Sequence, residues 1–136
     1  MLRLKTRPQF QAVLGGVLVA KTAHFAIHCV ELDVSVSAKP PALFPVRAIW
    51  FGAMAPKRWA KRAVTRNAIK RQIYTVTASL TSLLPQAAFL IRLRREFSRQ
   101  KFPSASSVAF KDAVRAELLV LMQSVCAPSN AKPVVV

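Results

Sequence analysis

Lys61-Arg-Ala-Val-Thr-Arg-Asn-Ala-Ile-Lys-Arg-Gln-Ile-Tyr-Thr-Val-Thr-Ala-Ser-Leu80 is the stretch on which the fold turns. Neither Pro nor Gly interrupts the chain from Lys61 to Leu84, and Ile69, Ile73, Val76 and Leu80 recur at i, i+4, i+7 and i+11. This is the stripe of an amphipathic helix, with Pro85 just beyond its end. Upstream, Val46-Arg-Ala-Ile-Trp-Phe-Gly-Ala-Met54 has the β-branched and aromatic content of a strand that stops at Pro56. Downstream, Ala88-Phe-Leu-Ile-Arg-Leu-Arg-Arg95 reads as another strand, with Phe89, Ile91 and Leu93 inward and Arg92 and Arg94 on the other face. Strand, helix, strand predicts one crossover over a small sheet, and periodicity leaves its handedness open.

Working outward, His24-Phe-Ala-Ile-His-Cys-Val30 alternates as a strand, with Phe25, Ile27 and Cys29 on one face and His24, Ala26 and His28 on the other. Residues 33–45, with Ser35, Ser37, Pro40, Pro41 and Pro45, form a loop. Pro8 to Gly15 makes a short helix with Phe10, Val13 and Leu14 on one face, ended by the Gly15-Gly16 pair. Phe110, Val114, Leu118, Leu121 and Val125 mark a last helix, and residues 127–136 form a frayed tail. The expected order is helix, strand, strand, helix, strand, helix: an α/β two-layer domain over residues 1–126, a small sheet packed with three helices.

The chain has 136 residues, the size of one ordinary domain. Its 21 Lys and Arg against 5 Asp and Glu give a net charge of +16, which repels itself in any compact state unless a polyanion is near. Hydrophobic residues make up 53% of the chain, too many for a disordered basic tail, so the charge rides on a folded body. Only Gly15, Gly16 and Gly52 occur, which excludes a Walker-type phosphate loop and a dinucleotide fingerprint. Cys29 and Cys126 lack metal-ligand spacing and read as buried or incidental thiols. The apolar run from Ala12 to Ala20 is too short to span a bilayer, and bulky Leu18 spoils a cleavage site after Ala20, so neither membrane insertion nor secretion is expected.

The basic residues are unevenly placed. Three lie in Arg3–Arg7, seven in Lys57–Arg71 and five in Arg92–Lys101, and no acid falls within Lys57–Arg71. On the central helix Arg66, Asn67, Lys70, Arg71 and Tyr74 share a sector beside the apolar stripe, so one face serves the core and another an anion. A solvated charged face would mix signs for i, i+4 pairing, and nothing acidic is available here. The pattern favours phosphate binding. Strand aromatics can stack single-stranded bases, although core packing is the default for Phe25, Trp50, Phe51 and Phe89. Phe10, beside basic Arg7, and His28 are better placed for a wet surface.

Protein-only catalysis fits poorly. A two-metal nuclease needs converging carboxylates, and the whole supply is Glu31, Asp33, Glu96, Asp112 and Glu117. His24 and His28 on one strand would stand about 13 Å apart, too far for a shared metal.

The stretch Ala55-Pro-Lys-Arg-Trp-Ala-Lys-Arg-Ala-Val-Thr-Arg-Asn-Ala-Ile-Lys-Arg71 resembles the signature of the bacterial ribonuclease P protein subunit, a Lys-Lys pair followed by an Arg-Asn-Arg-x-Lys-Arg helix. Arg3-Leu-Lys-Thr-Arg-Pro-Gln-Phe-Gln-Ala-Val-Leu14 is similar to that family's amino-terminal segment, and the likeness covers roughly residues 3–122. Ala68 replaces the second Arg of the triplet, Leu14 an aromatic, and His28 another aromatic, and the 33–45 loop looks extended.

The resemblance implies an α+β fold of the ribosomal protein S5 domain 2-like type with a left-handed βαβ crossover. It implies a cytoplasmic ribonucleoprotein endonuclease that removes the 5′ leader of precursor tRNA, in which a catalytic RNA with Mg2+ does the cutting and the protein supplies no catalytic residue. Lys57, Arg58, Lys61, Arg62, Arg66, Asn67, Lys70 and Arg71 would contact that RNA. Phe10, Leu14, Phe25 and His28 would line a cleft for the leader. The alternative is a structural RNA-binding protein of ribosomal type.

Overall fold

A computed structural model describes residues 2–31, 48–81, 84, 86–98 and 107–126. The elements are β1 (Leu2–Arg3), α1 (Arg7–Leu14), β2 (Val17–Lys21), β3 (Phe25–Glu31), β4 (Trp50–Met54), α2 (Ala63–Ser79), β5 (Ala87–Leu93) and α3 (Val108–Cys126). The strands form one mixed sheet in the order β1-β4-β5-β3-β2. Strands β1, β4 and β5 run parallel to one another, and β3 is antiparallel to both β5 and β2. The fold is α+β, three helices on a five-stranded sheet among the described residues. The 33–45 loop and the 127–136 tail lie outside those residues.

Every element expected from periodicity is present, with shifted ends. The central helix stops at Ser79 rather than near Leu84. The hydroxyls of Thr77 and Ser79 donate to the carbonyls of Ile73 and Val76, which draws the last turn away from helical pairing. Two strands carry no sequence signal: β1 has two residues, and β2 takes up the second half of the apolar run once read against a signal segment. As an edge strand β2 leaves Val17, Leu18 and Val19 exposed, and a register shift between Leu18 and Ala20 interrupts its ladder with β3.

The pleat divides the core in two. Phe25, Ile27, Phe51, Ala53, Phe89, Ile91 and Leu93 point to the side covered by α2 and α3, where they meet Ile69, Ile73, Val76, Val114, Leu118 and Leu121. Phe51 stacks on Phe89 with ring centroids 5.0 Å apart. The other side carries Trp50, Ala88 and Leu90, covered by Leu4 and by Val13 of α1, with Phe10 packed against them. Strands β4 and β5 are thus buried on both faces, which is why their sequences are nearly continuous apolar runs.

Local chemistry sets α1 in place. Thr6 caps it, its hydroxyl accepting from the Gln9 N–H, while the Gln9 side chain accepts from the Thr6 N–H. Two close approaches need glycine. A Cβ on Gly16 would stand 2.4 Å from the Cys29 carbonyl oxygen, and one on Gly52 would meet Leu4 Cδ1 at 2.5 Å and Phe10 Cε1 at 2.9 Å.

At the other end of β3, the Glu117 carboxylate of α3 holds the β2–β3 turn. It accepts from the Thr22 hydroxyl, from the His24 N–H at 2.6 Å and from His24 Nδ1 at 2.8 Å. The His24 ring stacks on Phe97, and Arg94 Nη1 donates to the carbonyls of Thr22 and Ala23. His24 precedes β3, so the strand begins one residue later than expected.

Candidate nucleic-acid interface

Two surfaces gather the residues singled out by the sequence. The first lies on the side of α2 away from the core. Asn67, Lys70, Arg71, Tyr74, Thr75 and Ala78 line a groove of about 590 Å3, and Arg3 of β1 closes it from the sheet edge. Among the described residues, three cations and no carboxylate line this space. Arg3 pairs with Phe51 in the parallel ladder, which turns its side chain toward α2. Its guanidinium carbon then sits 3.9 Å from the centre of the Tyr74 ring. Tyr74 is held in turn, its hydroxyl accepting from the Ala53 N–H at 3.2 Å.

Arg66 shares the sector but does not line the groove. Its Nη1 donates to the carbonyls of Ala60 at 3.1 Å and Lys61 at 2.8 Å. Arg66 therefore also ties the approach segment to the helix. That segment, between β4 and α2, turns at Pro56, whose carbonyl accepts from the N–H groups of Trp59 and Ala60. Lys57, Arg58, Lys61 and Arg62 are exposed along it, while Ala55 and Ala60 anchor it in the core. Arg58 lies over the Trp59 ring at 5.3 Å. Ala68, standing where the resemblance expects an arginine, is half-buried and packs against the main core.

The second surface is the α1 side of the sheet. Phe10 packs beside Leu90, and His28 lies opposite Leu90 in the β3–β5 ladder, so α1 and the strand bring these two residues to one region. Leu14 ends α1 and is exposed. His28 accepts at Nε2 from Arg92 Nε at 2.9 Å, which leaves the hydrogen of the neutral ring on Nδ1. Burial, and then the Arg92 charge, hold its pKa below the ordinary value.

Phe25 does not belong to this surface. It is 0% exposed and points to the opposite face of the sheet, between Phe97 and the α3 side of the core, so it cannot line a cleft with Phe10 and His28. The alternation of β3 already separates Phe25 from His28, and the pleat decides the matter. Conversely, Arg3, Thr75 and Arg92 join these surfaces without having been picked out. Arg3 and Arg92 meet their partners only through sheet pairing, whereas Thr75 follows Tyr74 on the groove side of α2.

Among the described residues, no group of three or more His, Cys, Asp or Glu converges as a metal site, and no helix is long and apolar enough to cross a membrane.

With this geometry in hand, comparison with known proteins is informative. The family model described as Ribonuclease P matches residues 1–116. The chain is 33% identical over 131 residues to the ribonuclease P protein component of Ralstonia pickettii, covering 96% of this chain and 84% of that protein. It is 34% identical over 116 residues to the corresponding protein of Bordetella parapertussis, covering 85% of each. Among solved structures, the RNase P protein of Staphylococcus aureus superposes with a TM-score of 0.63 at 18% identity, covering 90% of this chain and 94% of that one. The RNase P protein of Thermotoga maritima gives 0.61 at 16%, covering 90% and 96%. At such identities the structural likeness speaks for the fold.

Proposed function

The chain belongs to the ribonuclease P protein family, and from that membership we propose that it is the protein subunit of a ribonuclease P ribonucleoprotein. In this reading a catalytic RNA cuts precursor tRNA to release its 5′ leader, and the protein binds both RNAs without breaking a bond itself. The observation that carries the reading is the acid-free basic groove on α2, set away from the buried stripe of Ile69, Ile73 and Val76.

The groove and the segment before it would hold the catalytic RNA, with Lys57, Arg58, Lys61, Arg62, Arg66, Asn67, Lys70 and Arg71 at phosphates. Phe10 and Leu14 would meet the single-stranded leader, whereas His28, only 7% exposed, is less open to it than the sequence leads one to expect. Two polyanions repel one another, and a compact cation between them lowers that cost. Mg2+ would be held mainly by the RNA. In this reading the protein works in the cytoplasm.

The test mixes the full chain with its own catalytic RNA and precursor tRNA at low magnesium. Efficient cleavage is expected only with both macromolecules present. Cleavage by nucleotide-free protein, or unchanged RNA affinity after Lys70→Ala with Arg71→Ala, would overturn the reading.

A further inference from the structure

We propose that the groove between Arg3 and α2 receives a single unpaired nucleotide of the catalytic RNA, its base stacked on the outer face of the Arg3 guanidinium. The inference rests on the reading of the α2 face as an RNA surface and adds what that surface selects.

One of the cations of this groove lies over an aromatic ring. Arg3 lies against Tyr74 at 3.9 Å, and the Tyr74 hydroxyl is fixed to the Ala53 N–H. Arg3 itself sits on a strand clamped to β4 by the bonds Leu2 N–H to the Ile49 carbonyl at 2.8 Å and Leu4 N–H to the Phe51 carbonyl at 2.9 Å. Ring and guanidinium are thus both anchored to β4. Arg3 is nevertheless an exposed residue, so the face of the guanidinium turned from Tyr74 is open.

A planar, permanently charged group lying over a ring can offer its other face as a stacking platform for a nucleobase. Around it, Lys70 and Arg71 supply cations for a phosphate, while Asn67 and Thr75 supply neutral hydrogen-bonding groups for a ribose or base edge. The space of about 590 Å3 lies within the range of small-ligand sites, roughly 300–1,000 Å3. Bases inside a continuous A-form helix do not expose their faces, so only a bulged or single-stranded residue can use the platform. The groove is continuous with the basic face of α2, and this assigns it to the catalytic RNA rather than to the substrate.

The experiment uses the full chain with two RNA hairpins of identical stem, one carrying a single bulged 2-aminopurine and one fully paired. The wild type is expected to bind the bulged hairpin about ten-fold more tightly and to change its fluorescence through stacking. Arg3→Lys keeps the charge but loses the plane. It should abolish the preference while leaving affinity for the paired hairpin within about two-fold. Tyr74→Phe, which keeps the ring but loses its anchor to Ala53, should weaken the preference, and Tyr74→Leu should abolish it.

In the assembled ribonucleoprotein, a photoreactive group attached through Arg3→Cys should crosslink to the catalytic RNA. Crosslinks to precursor tRNA instead, a preference that survives Arg3→Lys, or no bulge preference in a wild type that still assembles with its catalytic RNA would each overturn the inference while the wider RNA reading stands. A wild type that binds neither hairpin nor catalytic RNA would overturn both.

Discussion

Arg66 Nη1 bridges the carbonyl oxygens of Ala60 and Lys61, so a residue of the basic sector also fastens the first turn of α2 to the segment that leads into it. The helix start has no side-chain cap hydrogen bond and no acid in its first turn, and the Arg66 bridge spans that boundary.

Arg66→Ala should therefore lower stability as well as RNA affinity. Hydrogen bonds from a charged donor, discounted for solvent exposure, set the loss at about 1–2 kcal/mol. Arg71→Ala, whose residue lines the open groove, should leave stability within about 0.5 kcal/mol of wild type. Both should flatten the salt dependence of RNA binding by about one unit of slope. Urea denaturation beside filter binding at several salt concentrations separates the two effects.

Gly52 makes room for Phe10. A methyl group there collides with Leu4 and with the Phe10 ring, and buried Leu4 has little space to yield. Gly52→Ala should cost about 1–3 kcal/mol by overpacking and push Phe10 from its seat. Cleavage of precursor tRNA with a long leader should then slow more than cleavage of a substrate with a one-nucleotide leader, as it should for Phe10→Ala. Equal slowing of both would remove Phe10 from the leader surface.

His28 gives stability a pH dependence. Its pKa in the folded chain lies below the ordinary 6.5, chiefly because it is buried and secondly because Arg92 is charged beside it. The unfolded chain binds that proton more readily, so stability falls as the pH drops below about 6.5 and is level above it with respect to this group. His28→Phe should remove this component. Subtracting its pH profile from that of the wild type should leave a difference that grows only on the acid side, and a flat difference would contradict the assignment.

Glu117 collects three donors at the β2–β3 turn. Glu117→Ala should destabilise the fold by about 2–3 kcal/mol, because hydrogen bonds to a charged acceptor are among the stronger ones. Amide exchange at His24 and Phe25 should accelerate. RNA affinity should hold or rise slightly, since one negative charge is lost and the α2 groove is untouched.

How much of this was legible in the sequence depended on how local each signal was. The helix α2 and its neighbours β4 and β5 could be read because their apolar residues repeat at the period of the element they form. The pair of basic residues lining the groove from α2, Lys70 and Arg71, could be read for the same reason. Strand β1 could not, because two residues have no period and exist as a strand only through pairing with β4. Strand β2 was hidden because its apolar side chains face outward on an edge and do not alternate. Arg3 and Tyr74 are far apart in the chain and meet only once the sheet has formed, as do Arg92 and His28. Phe25 was assigned to the leader cleft through family resemblance, against the alternation of its own strand, and the strand was the better guide.

The helix α2 buries Ile69, Ile73 and Val76 on one flank and presents Lys70 and Arg71 on another. Folding and ligation are consequently one linked equilibrium. A polyanion that binds only the native chain stabilises it by mass action, by about 2.7 kcal/mol at a hundred-fold excess over Kd. A core substitution such as Ile73→Ala would accordingly register as weak RNA binding in dilute solution and be masked at saturation, so affinities of variants are comparable only once each free protein is known to be folded.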